Sequence, residues 1–133
     1  MRKSITVLSV ALALCLLTDG ILRVAFLFTV MDSDSMLPLV KGNSTPTSHD
    51  GDFVVAARWF RTASLRTGDL VVVDIPTAMG PVLTIRKIEQ QADTPAGQFY
   101  LRAVKTNGID SRQFGALPAK DLQGKVIWIK KGS

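Results

Sequence analysis

The chain has 133 residues, 47% of them hydrophobic, and a net charge of +5 that is spread along the sequence except for basic pairs near its two ends. This length leaves room for one domain of common size behind an apolar N-terminus and excludes a second. Because no basic stripe with interleaved aromatic residues is present, we expect no nucleic-acid partner. The single cysteine excludes an intramolecular disulfide.

The N-terminal region is apolar enough to enter a membrane. Residues 5–17 are almost free of charge, but at 1.5 Å per residue they cover only about 20 Å of a hydrocarbon core of about 30 Å. Continuing the helix toward Val24 supplies the missing length and places Asp19 and Arg23 at i, i+4, where they can pair. The sequence predicts a membrane anchor over residues 1–23 and one β-rich domain over residues 24–133.

The charges and side chains around this segment favour an anchor that is retained. Arg2 and Lys3 precede the apolar run, so a single-pass helix would keep the N-terminus cytoplasmic and the domain on the outer face of the inner or plasma membrane. A cleaved signal peptide is the alternative, but the residues after the run form a poor cleavage site. Leu14 before Cys15 is too bulky for a lipoprotein site, which leaves Cys15 as an ordinary apolar residue.

Short apolar runs separated by turn-forming residues follow the anchor. We predict strands over residues 24–30, 51–57, 68–74, 82–88, 98–105 and 125–129, with a loop over residues 40–50. No helical period of about twelve residues interrupts them. The fold class predicted is therefore mainly β, an antiparallel sheet or barrel-like core behind one transmembrane helix.

The only histidine, His49, lies in the predicted loop beside an aspartate. With no second histidine and no cysteine nearby, we interpret it as a solvated surface residue and expect no metal site. A serine-histidine-aspartate triad would have to use His49. No organic cofactor is implied by any motif.

Five short motifs occur along the chain. The segment 33–38 reads Ser-Asp-Ser-Met-Leu-Pro, and its proline fixes a turn at the end of an apolar strand; taken alone, it is a common polar turn. Gly-Asp pairs follow at 51–52 and 68–69, then Arg-Lys at 86–87, and finally Asp-Ser-Arg-Gln-Phe-Gly at 110–115. This series, from about residue 21 to residue 129, resembles the type I signal peptidase family of membrane-bound serine endopeptidases.

The resemblance implies a signal-peptidase catalytic core acting on precursor polypeptides at the membrane. It would make Ser35 the nucleophile, and it would use the Ser33 hydroxyl beside the Ser35 backbone N–H to stabilise the oxyanion. Met36 would adjoin the substrate-binding position. The family's general base is a neutral lysine, for which Lys87 is the candidate; burial disfavours the ammonium form, so such a base is chemically feasible.

Two departures from the family pattern concern the base. The family reads Lys-Arg where this chain has Arg86-Lys87, so a regular strand would place Arg86 at the base position, and only a bulge or slip would bring Lys87 there. Arginine cannot act as a general base. Gly108 stands where the family has a serine that orients the lysine, and Thr106 would replace that serine only in a different turn.

Three further charged residues, Lys105, Asp110 and Arg112, lie in or near the last motif. Lys105 is a further candidate amine for the base. Asp110 and Arg112 are interpreted as a structural ion pair that holds their loop against the sheet.

Two other functions remain open from the sequence. One is a catalytically impaired relative, a membrane module that binds or presents secreted substrates. The other is kinship with the self-cleaving repressors of the DNA-damage response, which resemble the same motifs but carry a DNA-binding domain in place of an apolar anchor.

Overall fold

The computed structural model describes residues 2–30, 36, 39–45, 48, 50–106 and 108–132. Its N-terminal element is a single helix, α1, over Arg2–Ala25. The portion Lys3–Ala25 is long and apolar enough to cross a membrane, and none of it is buried against the domain. The pair expected within it is present, with 2.8 Å between Asp19 Oδ2 and Arg23 Nε.

The rest of the chain is built mainly of antiparallel strands. In chain order they are β1 (Phe26–Val30), β2 (Phe53–Ala57), β3 (Leu70–Ile75), β4 (Val82–Ile88), β5 (Gln98–Phe99), β6 (Leu101–Arg102), β7 (Leu117–Pro118) and β8 (Leu122–Lys130). Six strands form one sheet in the order β1-β2-β8-β3-β4-β6, and β5 pairs with β7 in a second sheet. A one-turn helix, α2 (Ser111–Phe114), precedes β7. The antiparallel sheet behind one N-terminal apolar helix confirms the coarse fold prediction.

The large sheet is buried on both faces, because neighbouring residues of its strands enter different hydrophobic clusters. In β3, Val71 and Val73 face one cluster and Val72 faces the other, as the alternation of side chains along a strand requires. We name the clusters by their members. The Val71 cluster contains Val71, Val73, Ile75, Ile88, Phe99, Leu101, Leu117 and Leu122. The Met36 cluster contains Met36, Val40, Val54, Ala56, Val72 and Ile85.

Several predicted element bounds were wrong. The segment Phe26–Val30 is a strand as predicted, but α1 continues through Val24 and Ala25, which had been assigned to that strand. The predicted strand over residues 98–105 is divided into β5 and β6, and the structure ends β6 at Arg102. Directly after β6, Ala103 N–H donates to Asp110 Oδ2 at 2.8 Å, so a side chain rather than a neighbouring strand receives this amide hydrogen.

Candidate active site

Met36 is the only residue of the segment 31–38 that the structure describes, so predicted site residues Ser33 and Ser35 lie outside the described part of the chain. Met36 has no solvent exposure and packs in the Met36 cluster with Val72 of β3 and Ile85 of β4. Its carbonyl oxygen accepts hydrogen bonds from Leu39 N–H at 2.9 Å and from Val40 N–H at 3.0 Å. The residue directly after Ser35 is therefore held by the hydrophobic core and begins a closed turn.

The register between β3 and β4 determines on which face of the sheet Arg86 and Lys87 lie. Leu70 lies opposite Lys87, Val71 opposite Arg86, and Val72 opposite Ile85, with no register shift along this pair of strands. Since residues directly opposite each other share a face, Arg86 lies on the face of the Val71 cluster and Lys87 on the face of the Met36 cluster. The bulge or slip that could have exchanged these two side chains is absent from this ladder.

Arg86 is a buried cation with several hydrogen bonds, and only 3% of the residue is exposed. Its Nε donates to the Ile109 carbonyl oxygen at 2.7 Å, and its Nη1 donates to Thr84 Oγ1 at 2.9 Å and to the Ile85 carbonyl oxygen at 2.6 Å. Burial lowers the pKa of Arg86 from its ordinary value, and the nearby Asp110 carboxylate opposes this shift. A guanidinium in this position ties β4 to the segment before α2 and cannot accept a proton.

Lys87 has a different environment on the other face of the same strand. It is half-buried, and its two cross-strand neighbours are Leu70 of β3 and Arg102 of β6. Leu70 packs against the Met36 cluster, whereas Arg102 pairs with Glu89 at 3.3 Å. Lys87 therefore lies between an apolar side chain and a cation, and it shares its sheet face with Ile85, a member of the Met36 cluster.

The motif at 110–115 forms a capped helical turn. Asp110 is the N-cap of α2: its side chain accepts from Arg112 N–H, while the Gln113 side chain accepts from Asp110 N–H, completing a capping box. The expected ion pair is present, with 2.7 Å between Asp110 Oδ2 and Arg112 Nη2. With Ser111 Oγ bound to Leu101 N–H, these contacts dock α2 onto β6. The spacing Asp-x-x-Gln is the sequence signal that could have predicted this capping box.

We expect Asp110→Asn to lower the free energy of unfolding at pH 7 by about 3 kcal/mol, because an amide cannot serve the Arg112 guanidinium and the buried Ala103 N–H as a carboxylate does. Asp110 has no solvent exposure. Urea titration would measure the change, with the exposed Asp93→Asn as the matched control. Equal midpoints for the two variants would contradict this role of Asp110.

The same carboxylate gives the stability a defined pH dependence. Burial alone would raise the pKa of Asp110, but hydrogen bonds from the Arg112 side chain, Arg112 N–H and Ala103 N–H outweigh it and hold the pKa below its ordinary value. A lowered folded-state pKa means that this contribution is fully present above the unfolded value near pH 4 and is lost as the pH falls through the folded value.

The remaining candidates occupy the turn before α2 or lie outside the described residues. Lys105 is half-buried, and its carbonyl oxygen accepts from the buried Gly108 N–H at 3.1 Å; Thr106 is exposed. His49 lies outside the described part of the chain. Within the described residues, no group of three histidine, cysteine or acidic side chains is arranged to hold a metal ion.

No protein-family model matches the chain, and no curated protein matches it significantly.

Proposed function

We propose that the chain is a membrane-anchored serine endopeptidase of the signal peptidase type, which removes signal peptides or processes a secreted, pilin-like precursor. Ser35 is the nucleophile, Lys87 the general base, and Ser33 an oxyanion donor. The reaction needs no cofactor. The proposal extends the sequence resemblance to this family with the packing around Met36 and β4.

The observation that carries the proposal is that Met36 and Lys87 belong to the same side of the sheet. Met36 follows the proposed nucleophile directly and is fully buried in the cluster that also contains Ile85. Lys87 lies two residues beyond Ile85 on the same strand and hence on the same face. The core thus fixes the backbone next to Ser35 on the face of β4 that carries Lys87. We therefore take the base from this face, although the family resemblance alone would place the base at the position of Arg86.

The proposed chemistry proceeds in two steps. The neutral Lys87 amine takes the proton of the Ser35 hydroxyl as its oxygen attacks the scissile carbonyl, and the resulting ammonium gives that proton to the leaving amine as the peptide bond breaks. The Ser35 N–H and the Ser33 hydroxyl stabilise the oxyanion, a kind of contact whose loss typically slows a reaction by about a hundred-fold or more. Water, deprotonated by Lys87, then hydrolyses the acyl-enzyme and releases Ser35.

The N-terminal half of the fold suits a substrate presented at a membrane. Strand β1 follows α1 without a connecting loop, and it lies at an edge of the large sheet, with β2 as its only neighbour among the described strands. An extended precursor segment can add to such an edge through backbone hydrogen bonds, which demands little of its sequence. With Arg2 and Lys3 on the cytoplasmic side, the domain would meet precursors emerging on the outer face.

One observation favours a second candidate function, a catalytically impaired module that binds or presents secreted substrates. By the family resemblance, the catalytic lysine of the family corresponds to position 86 of this chain. That position is occupied here by a buried arginine, whose guanidinium binds the Ile109 carbonyl oxygen. If catalysis requires an amine on this face, the chain retains only the binding part of the function.

The two functions differ in a direct assay. The full chain is reconstituted into lipid vesicles and mixed with a precursor polypeptide that carries a signal peptide, and the products are identified by mass spectrometry. A peptidase yields the mature polypeptide at one cleavage site, and protein-free vesicles serve as the control. Precursor that is recovered uncut but bound to the vesicles would reject the peptidase and support the binding module.

A further inference from the structure

Asp52, at the entrance to β2, holds a buried carboxylate that joins distant parts of the chain. The residue is 1% exposed. Its Oδ2 accepts from Lys41 N–H at 2.9 Å and from Lys131 Nζ at 3.0 Å, while its Oδ1 accepts from Gly132 N–H at 2.9 Å. The Asp52 carboxylate thus binds both the segment that follows the Ser35 motif and the residues that follow β8.

A series of hydrogen bonds connects Asp52 to the Met36 carbonyl oxygen. Asp52 N–H donates to the Lys41 carbonyl oxygen at 2.8 Å, so these two residues are bound in both directions. Lys131 Nζ also donates to the Leu39 carbonyl oxygen at 2.7 Å. Leu39 N–H and Val40 N–H in turn donate to the Met36 carbonyl oxygen. We call Asp52, Lys131 and Gly132 the tail clamp.

The backbone beyond β8 fits closely into this place. A Cβ atom on Gly132 would lie 2.1 Å from the Asp50 carbonyl oxygen and 2.6 Å from that of Gly51. Both distances are far below contact and involve backbone atoms, which do not rotate away as a side chain would. Only glycine lets the chain pass close enough for its N–H to reach Asp52.

The two charged groups of the tail clamp, Asp52 and Lys131, differ in how far they are buried. Burial alone would raise the pKa of Asp52, but the hydrogen bonds from Lys41 N–H, Gly132 N–H and Lys131 outweigh it, so the carboxylate stays charged. The Lys131 side chain, by contrast, is 62% exposed. Without Lys131 the Asp52 carboxylate would keep two backbone N–H donors, from Lys41 and Gly132, whereas the Leu39 carbonyl oxygen would lose the ammonium that binds it.

We propose that Lys131, oriented by Asp52, is a positioning residue that holds the turn after Ser35 in the geometry needed for attack on the substrate. This inference rests on the proposed peptidase function. The clamp acts through Leu39 and Val40, whose N–H groups bind the Met36 carbonyl oxygen. Small displacements of a reacting group can reduce a rate by about a hundred-fold, which makes such a turn worth fixing.

The test compares Lys131→Met with Lys130→Met, the neighbouring exposed lysine at the end of β8. At a temperature where both proteins are folded, we expect Lys131→Met to lower kcat for precursor cleavage by about 10- to 100-fold with KM close to that of the wild type. Lys131→Arg should recover most of the loss, because a guanidinium also reaches a carboxylate and a carbonyl oxygen. Lys130→Met should behave as the wild type.

Amide hydrogen exchange supplies a readout that does not depend on catalysis. We expect the Leu39, Val40 and Lys41 amides to exchange at least about 10-fold faster in Lys131→Met, while those of β3 and β4 keep their protection. Unchanged exchange at residues 39–41, or faster exchange with unchanged kcat, would overturn the proposal. If the wild type cleaves no precursor, the peptidase function fails, and the exchange rates still decide whether Lys131 holds this turn.

Discussion

Replacing Ser35 with alanine is expected to reduce the rate of precursor cleavage by at least about 10⁴-fold, because alanine has no hydroxyl with which the proposed nucleophile would form the acyl-enzyme. The residual rate reflects only binding and the remaining oxyanion donors. Tm should stay close to that of the wild type, since the change removes one oxygen atom. The measurement is single-turnover cleavage by the chain in lipid vesicles, followed by mass spectrometry.

The matched control for this variant is Ser64→Ala. Ser64 lies in an exposed turn, where its hydroxyl donates to the Arg61 carbonyl oxygen at 2.6 Å, and it is far from the proposed nucleophile in sequence. We expect this control to cleave at the wild-type rate. Equal rates for Ser35→Ala and Ser64→Ala would reject Ser35 as the nucleophile.

Replacing Lys87 with methionine is expected to slow cleavage by about 10³-fold, since methionine keeps the length and the apolar stem of the side chain but cannot accept the Ser35 proton. The exposed Lys120→Met is the control for the loss of one positive charge, and it should cleave normally. The measurement is kcat/KM for precursor cleavage by the wild type and the two variants. Equal values for Lys87→Met and Lys120→Met would contradict the role of Lys87 as the base.

A different pattern among these variants would locate the base elsewhere. If Ser35→Ala is inactive while Lys87→Met cleaves like Lys120→Met, the amine must come from another residue, and Lys105 becomes the next candidate. The same result would remove the significance of the shared sheet face.

The strands that the sequence predicted best are those with turn-forming residues at both ends. Strand β4 has the predicted bounds, and β3 differs from its prediction by only one or two residues. The end of the strand at Arg102 could not be predicted from the apolar pattern of residues 98–105, because the Asp110 side chain takes the Ala103 amide hydrogen that a continuing strand could have given to a neighbour. Strand propensity does not register competition from a side chain seven residues away.

The candidate site was predictable where it depends on local rules. Alternation along β4 was enough to predict opposite faces for Arg86 and Lys87, and the ladder with β3 has the required register. The partners of these side chains depend on long-range contacts. The Ile109 carbonyl oxygen that binds Arg86 is 23 residues away, and Lys131 is 79 residues from Asp52. No spacing rule connects positions so far apart, so these contacts needed the folded chain.

The double variant Arg86→Lys/Lys87→Arg tests most simply whether the amine on the Met36 side of β4 activates Ser35. The quantity measured is its rate of precursor cleavage. This variant preserves net charge and composition while exchanging the two faces, and its Tm reports any loss of the Arg86 hydrogen bonds. We expect the folded double variant to cleave the precursor at the rate of Lys87→Met. A double variant that cleaves faster than the wild type would contradict this expectation, because position 86 would then be the base position and the natural chain the impaired one.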